Sequence, residues 1–191
     1  MLARDFGGSL QMLERSQQAT PPQLSLGSLL SNRELPALVA MDLMRAARQE
    51  QPDVARRAET LARKLATAPH ATREIGLAYA KTLIEIRRHD DALKQLGLVL
   101  RKHPDYAMAW MLQGGLQLQE QQWAAAEQSL QQYFRVRKAE DPVPGPREDG
   151  NIALSILQAN LTVSSDMQAN IMMAEIAGHK NDPPAAARGR A

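Results

Sequence analysis

The chain has 191 residues, and its 23 basic and 21 acidic side chains are interspersed for a net charge of +2, which leaves no footprint for nucleic acid or an anionic membrane. Hydrophobic residues make up 44% but aromatics only 4%, so a core has to come from Ala, Leu, Met, Ile and Val, which is helical material. The absence of cysteine excludes disulfides, thiolate nucleophiles and thiolate metal sites, and leaves cytoplasm and periplasm both open.

Residues 1–34 form an N-terminal segment: "SLQMLERSQ" has the pattern of a short amphipathic helix, "QATPPQ" is a break, and "LSLGSLLSNREL" leads onward. The first twenty residues lack the apolar run of about 7 to 15 that a signal peptide needs. A piece cut from a longer exported chain would have lost its leader, so compartment stays open between cytoplasm and cell envelope. The segment reads as a cap over the exposed end of a helical array, or as a self-association element.

Residues 35–138 repeat with a period of 34. Small residues recur at Ala46, Ala80 and Gly114 and again at Ala58, Ala92 and Ala126, and apolar ones at Ala62, Leu96 and Leu130 and at Leu65, Val99 and Tyr133. Each of the three units reads as two amphipathic helices. In the second, "TREIGLAYAKTLIEIRR" and "DALKQLGLVLRK" flank a turn at His89-Asp90, and His103-Pro104 ends the unit because proline disfavours helix before it and cannot continue one. Asp105 is expected to cap the next helix. The third unit turns near Gln121-Gln122. No apolar stretch approaches the roughly 20 residues that span a bilayer, so no membrane insertion is expected.

Residues 139–150, "AEDPVPGPREDG", read as a Pro/Gly-rich charged loop. Residues 151–179 read as further helices: "NIALSILQANL", then a second helix opened by a capping box at Ser165-x-x-Gln168. Ala174 lies 60 residues after Gly114, and Ala186 lies 60 after Ala126, so the period resumes after an insertion of 26. Residues 180–191 are then a tail or the truncated second helix of a fourth repeat, as in a piece of a longer array.

These columns carry a resemblance. Trp110, Gly114, Ala126 and Leu130 in the third unit, and Tyr79, Ala80, Leu83, Ala92, Leu96 and Pro104 in the second, resemble the tetratricopeptide repeat (TPR), although Gln113 and Gln117 stand where Leu and Tyr are usual. The resemblance, of a bacterial type, implies an all-α right-handed solenoid of antiparallel helix pairs. It also implies a concave partner-binding face on the first helices. Residues projecting inward from the period are Leu43, Ala47, Glu74, Leu77, Lys81, Ile84, Met108, Met111, Gly115 and Leu118. This lining is mostly apolar, and its methionines suit adaptable contact with a peptide or helix, or else they fill core between repeats. Only Lys81 has the character of the basic clamp by which some TPR modules hold carboxylate tails, so a segment with apolar side chains is the expected partner.

No catalytic constellation accompanies the repeats. Gly114-Gly115 is no phosphate loop, since it lies within a helical pattern and lacks the G-x-G-x-x-G spacing. His70, His89, His103 and His179 are scattered at helix ends or turns, and Asp90-Asp91 and Glu148-Asp149 suit helix starts and solubility. The expected function is a non-enzymatic protein-interaction scaffold without metal or cofactor. Its alternatives are an accessory TPR section of a larger enzyme and a small secretion-type TPR chaperone. On this reading Gly115→Leu should impair binding more than folding, and Gly114→Leu the reverse.

Overall fold

The computed structural model describes residues 5–18, 34–139 and 152–181, and all its regular structure there is helical. The eight helices among the described residues are α1 (Phe6–Gln18), α2 (Glu34–Ala46), α3 (Pro52–Thr67), α4 (Arg73–Glu85), α5 (His89–Lys102), α6 (Ala107–Gln119), α7 (Trp123–Ala139) and α8 (Ile152–Asn181). The loop expected at 139–150 and the tail expected at 180–191 lie almost wholly outside the described residues. Two compact units divide the chain, Met1–Lys102 and His103–Ala191.

In the first unit, α2 pairs with α3 and α4 with α5, and α4 also packs on both helices of the preceding pair. The pairs close through small residues. A Cβ on Gly76 would meet Val99 Cγ2 at 2.6 Å, and the Gly76 carbonyl accepts a bond from Gln95 Nε2 at 3.3 Å, so α4 and α5 touch almost backbone to side chain. Helix α1 packs against α2 and α3 with Phe6 and Leu10 buried. Asp5 starts it by accepting the Gly8 N–H at 2.7 Å, and Glu14 reaches Arg57 of α3 at 2.6 Å.

The second unit repeats this plan in α6 and α7. A Cβ on Gly114 would lie 2.8 Å from Leu130 Cγ, which is the close approach the small-residue column implies. Gln117, a polar exception to the repeat pattern, is buried with its carboxamide oxygen accepting from Ser129 at 2.7 Å. Helix α8 packs against both α6 and α7, in the second unit, as α4 does against α2 and α3 in the first.

Three local expectations are corrected. The second repeat's turn falls at Ile86–Arg88 instead of His89-Asp90, with Arg87 at φ 64; Gln121, 34 residues on, takes φ 58. In both turns the same bond closes the helix, Arg88 N–H to Leu83 O at 2.8 Å and Gln122 N–H to Gln117 O at 2.8 Å, so both helices end in a Schellman-type cap. Asp105 does not cap α6; Tyr106 precedes Ala107 with no side-chain cap bond, because the His103–Tyr106 turn closes on itself through its backbone at 3.1 Å. Ser165 is likewise no helix start, since α8 runs unbroken from Ile152 to Asn181; the weak helix formers Thr162, Ser164 and Ser165 lower propensity without the proline or glycine that would stop it.

The repeat register also holds unevenly. Ala58, Ala92 and Ala126 are all fully buried, as are Ala62, Leu96 and Leu130. Ala46, assigned to the first-helix column with Ala80 and Gly114, is exposed, whereas Met44 is buried. The connection Ala47–Gln51 is two residues longer than Ile86–Arg88 and α3 starts three residues earlier relative to its buried alanine than α5 does, so α2 ends five residues out of step with the period set by α3.

Candidate functional site

The extra length after α2 builds the most distinctive polar feature of the first unit. Arg45 lies at the end of α2 and donates to Glu85 of α4 at 2.5 Å and to Asp42 at 2.5 Å. The hydrogen bond to Glu85, with that carboxylate's charge, raises the Arg45 pKa above the usual arginine value. Arg48, in the longer connection, donates to the Ile86 carbonyl at 2.7 Å, one residue before Arg87 turns outward in left-handed backbone. With Gln49 and Glu50 these groups wall an open basin of about 520 Å³ between the ends of the two first helices. Its chemistry is that of guanidinium groups held in place by carboxylates and a carbonyl, with both Nη atoms of Arg45 and one of Arg48 already engaged within the chain.

A second polar link stands one layer away. Arg88 donates to Glu59 of α3 and to Asp91 of α5, the latter at 2.5 Å. Arg88 pairing holds the Asp91 carboxyl below the usual carboxylate range, and the bond to Glu59 raises Arg88 itself. Tyr79 lies buried nearby and its hydroxyl is pushed up, chiefly by burial and then by the Glu59 charge.

The ten residues expected to line a partner face divide by burial. Leu43, Ala47 and Leu77 in the first unit are buried and belong to its core, so they offer no side chain to a partner. Glu74 and Lys81 are exposed, and Ile84 is half-buried. In the second unit Met111 and Leu118 are buried in one cluster with Ala126, Leu130 and Tyr133 of α7 and Ala169 and Ile176 of α8. Met108 and Met172 pack against that cluster. Gly115 lines no open groove: a Cβ there would meet Met172 Sδ and Cε at 3.4 Å, so α8 covers this side of α6. The methionines fill core between helices, the second of the two uses the sequence allows.

Helix α8 is held on α7 at two places. The buried Tyr133 hydroxyl donates to Asp166, and Arg137 approaches the same carboxylate at 3.4 Å. Burial and the bond to Asp166 drive the Tyr133 pKa strongly up. At the other end Lys180 reaches Glu127 at 2.5 Å, and His179 stacks on Trp123 with ring centroids 3.9 Å apart. Asp166 thus meets the late half of α7 and Lys180 the early half, so the two helices run antiparallel.

Sequence reasoning misses Arg45, Arg48 and Arg87, because a period extended through Ala46 makes no allowance for the longer connection. The signal is present in "RAARQEQPD", where three residues separate Ala47 from the Gln51-Pro52 helix start. Among the described residues no three His, Asp or Glu side chains gather at metal-binding distance, and no helix is long and apolar enough to cross a membrane. No protein-family model, curated protein or solved structure matches the chain.

Proposed function

We propose that this chain is a non-enzymatic protein-interaction module built from TPR-like helix pairs, and that the α2–α4 face of its first unit takes a peptide or helical segment from a partner. The observation that carries this is the basin between consecutive first helices, walled by Arg45, Arg48, Arg87, Glu50 and Glu85. The 34-residue spacing of the α4–α5 and α6–α7 pairs and their matching turns support the TPR-like part of the reading.

The partner chemistry differs from an apolar segment. Leu43, Ala47 and Leu77 are core, so what this face offers to water is Glu74, Lys81 and the arginines beside Glu85. A segment carrying carboxylates, and backbone carbonyls free to accept from guanidinium, fits that surface. Fluorescence anisotropy with acidic helical peptides tests it. The expected result is salt-sensitive binding that weakens about tenfold or more in an Arg48→Glu/Arg87→Glu variant of unchanged helical circular dichroism. Binding indifferent to salt and to that variant, or tight binding of a small metabolite with no peptide affinity, overturns the proposal.

A further inference from the structure

Helix α8 repeats α6 at a distance of 60 residues, and the repetition is visible in burial as well as in sequence. Ala109 and Ala169 are both fully buried, and Leu116 and Ile176 are both buried. The next column around the helix behaves differently. In α6 it consists of Ala107, Met111, Gly114 and Leu118, all buried; Gly114 faces Leu130 and the other three share a cluster with Leu130 and Ala126 of α7. In α8 the corresponding residues are Met167, Ile171, Ala174 and Gly178, spaced so that they line one stripe, and all four are exposed. Met167 is 58% and Ile171 60% exposed, and a Cβ at Gly178 would meet no atom within 4 Å. Thus the face that α6 buries under a partner helix is, in α8, open.

From this we infer that the α8 stripe is a homodimer interface, in which the α8 of a second copy lies antiparallel on it in the role α7 has for α6. The interface is independent of the proposed peptide-binding face and uses a different unit. Its shape is self-complementary. Along α8 the stripe reads large, large, small, small, and the two halves are spaced symmetrically about the point between Met172 and Met173. A two-fold axis at that point sets Ile171 against Ala174 of the second copy and Met167 against its Gly178. Each large side chain then meets a position with room for it, as Leu130 meets Gly114 within the unit.

Charge is compatible with the same pairing. Antiparallel packing opposes the helix dipoles, while Asp166, His179 and Lys180 stay engaged with α7 on the other side of α8. On the rim, Glu175 and Gln168 flank the same edge of the stripe, and the two-fold puts the carboxylate of one copy beside the carboxamide of the other. No pair of like charges among these is brought directly opposite.

The test uses the full chain, in which the absence of native cysteine makes engineered thiols unambiguous. Sedimentation equilibrium is expected to show a reversible dimer. Ile171→Glu should weaken it about tenfold or more at unchanged helical circular dichroism, whereas Leu98→Glu, an exposed leucine on α5, should leave it intact. Oxidising the Ile171→Cys/Ala174→Cys double variant should yield a covalent dimer that neither single variant gives, because the two-fold pairs each position with the other. A chain that stays monomeric across the accessible concentrations, a dimer unmoved by Ile171→Glu, or single variants that cross-link as well as the double overturns the inference and leaves the stripe to a different occupant, such as a foreign helix or residues 182–191.

Discussion

Four positions occur in both α4 and α6, one repeat apart, and they face different surroundings. In α4 they are Glu74, Leu77, Lys81 and Ile84; in α6 they are Met108, Met111, Gly115 and Leu118. Leu77 and Met111 are core in both. Lys81 is exposed at the position where Gly115 lies under Met172 of α8, and Glu74 is exposed where Met108 packs into a hydrophobic cluster. The difference shows that the backbone plan fixes which positions lie on this side of a first helix, while the side chains record what covers them. Water selects charge, and a packed helix selects small or flexible apolar groups.

Gly114→Leu should disturb the shared plan most. Its Cβ would sit 2.8 Å from Leu130 Cγ and 3.4 Å from the Ala126 carbonyl, so α6 and α7 would have to part. A loss of about 3 kcal/mol in urea unfolding is expected. A loss well under 1 kcal/mol would show that the α6–α7 approach is not tight.

Next is Tyr133→Phe, which removes the hydroxyl bonded to Asp166 and keeps the ring in the core. A bond to a charged acceptor contributes about 1.5 to 3 kcal/mol, and Arg137 beside the same carboxylate keeps the cost toward the lower end. Hydrogen exchange should report it in α8 first, since Asp166 is where α8 is tied to α7. Uniform loss of protection across α6 and α7 would mean that α8 is not a separately docked element.

The paired variants Gly115→Leu and Lys81→Leu set the covered position against the open one. Gly115→Leu has to displace the end of Met172, a flexible thioether, so a cost of about 1 to 2 kcal/mol is expected. Lys81→Leu, on an exposed position, should stay within about 0.5 kcal/mol of the parent. Both being neutral would mean that α8 does not cover α6 in solution. The expectation that Gly115→Leu acts mainly on binding gives way to one of stability, because the neighbour of Gly115 is the chain's own helix.

Much of the helical plan is legible in the sequence because the second helices of the pairs obey the period strictly: Ala58, Ala92 and Ala126 are fully buried against their partner helices, and that column stays in step through all three pairs. The all-helical character follows from the same columns. What is not legible depends on insertions and on covering. The longer connection after α2 and the earlier start of α3 move Ala46 to the surface and bring Arg45 and Arg48 to the basin, and a local pattern does not report a five-residue slip until burial is known. Nor does a period tell whether Met108 and Met111 face a partner or the chain itself; that is decided by α8, which lies more than 30 residues downstream and whose continuity hides a capping box in mid-helix. Of the candidate site, Glu74 and Lys81 are placed on the exposed face by the sequence, while the arginines that shape it are not.

The two units also differ in how polar groups tie their layers, and pH separates them. In the first unit Arg88 joins Glu59 to Asp91, and the pairing depresses the Asp91 pKa. A depressed carboxylate contributes stability that is present above its unfolded value near pH 4 and is lost as pH falls through the lower folded value. The Asp91 side chain is 38% exposed, so solvent screening limits the contribution to under about 1 kcal/mol. The unfolding free energies of the parent and Asp91→Asn should therefore differ by a constant small amount from neutral pH down to about pH 4 and converge below it. In the second unit the Tyr133 hydroxyl is the donor to Asp166, and its raised pKa keeps it protonated throughout this range, so its own charge state adds no difference that follows Asp91. A parent–Asp91→Asn difference that persists unchanged at the acid end would show that Arg88 is not what holds Asp91 ionised.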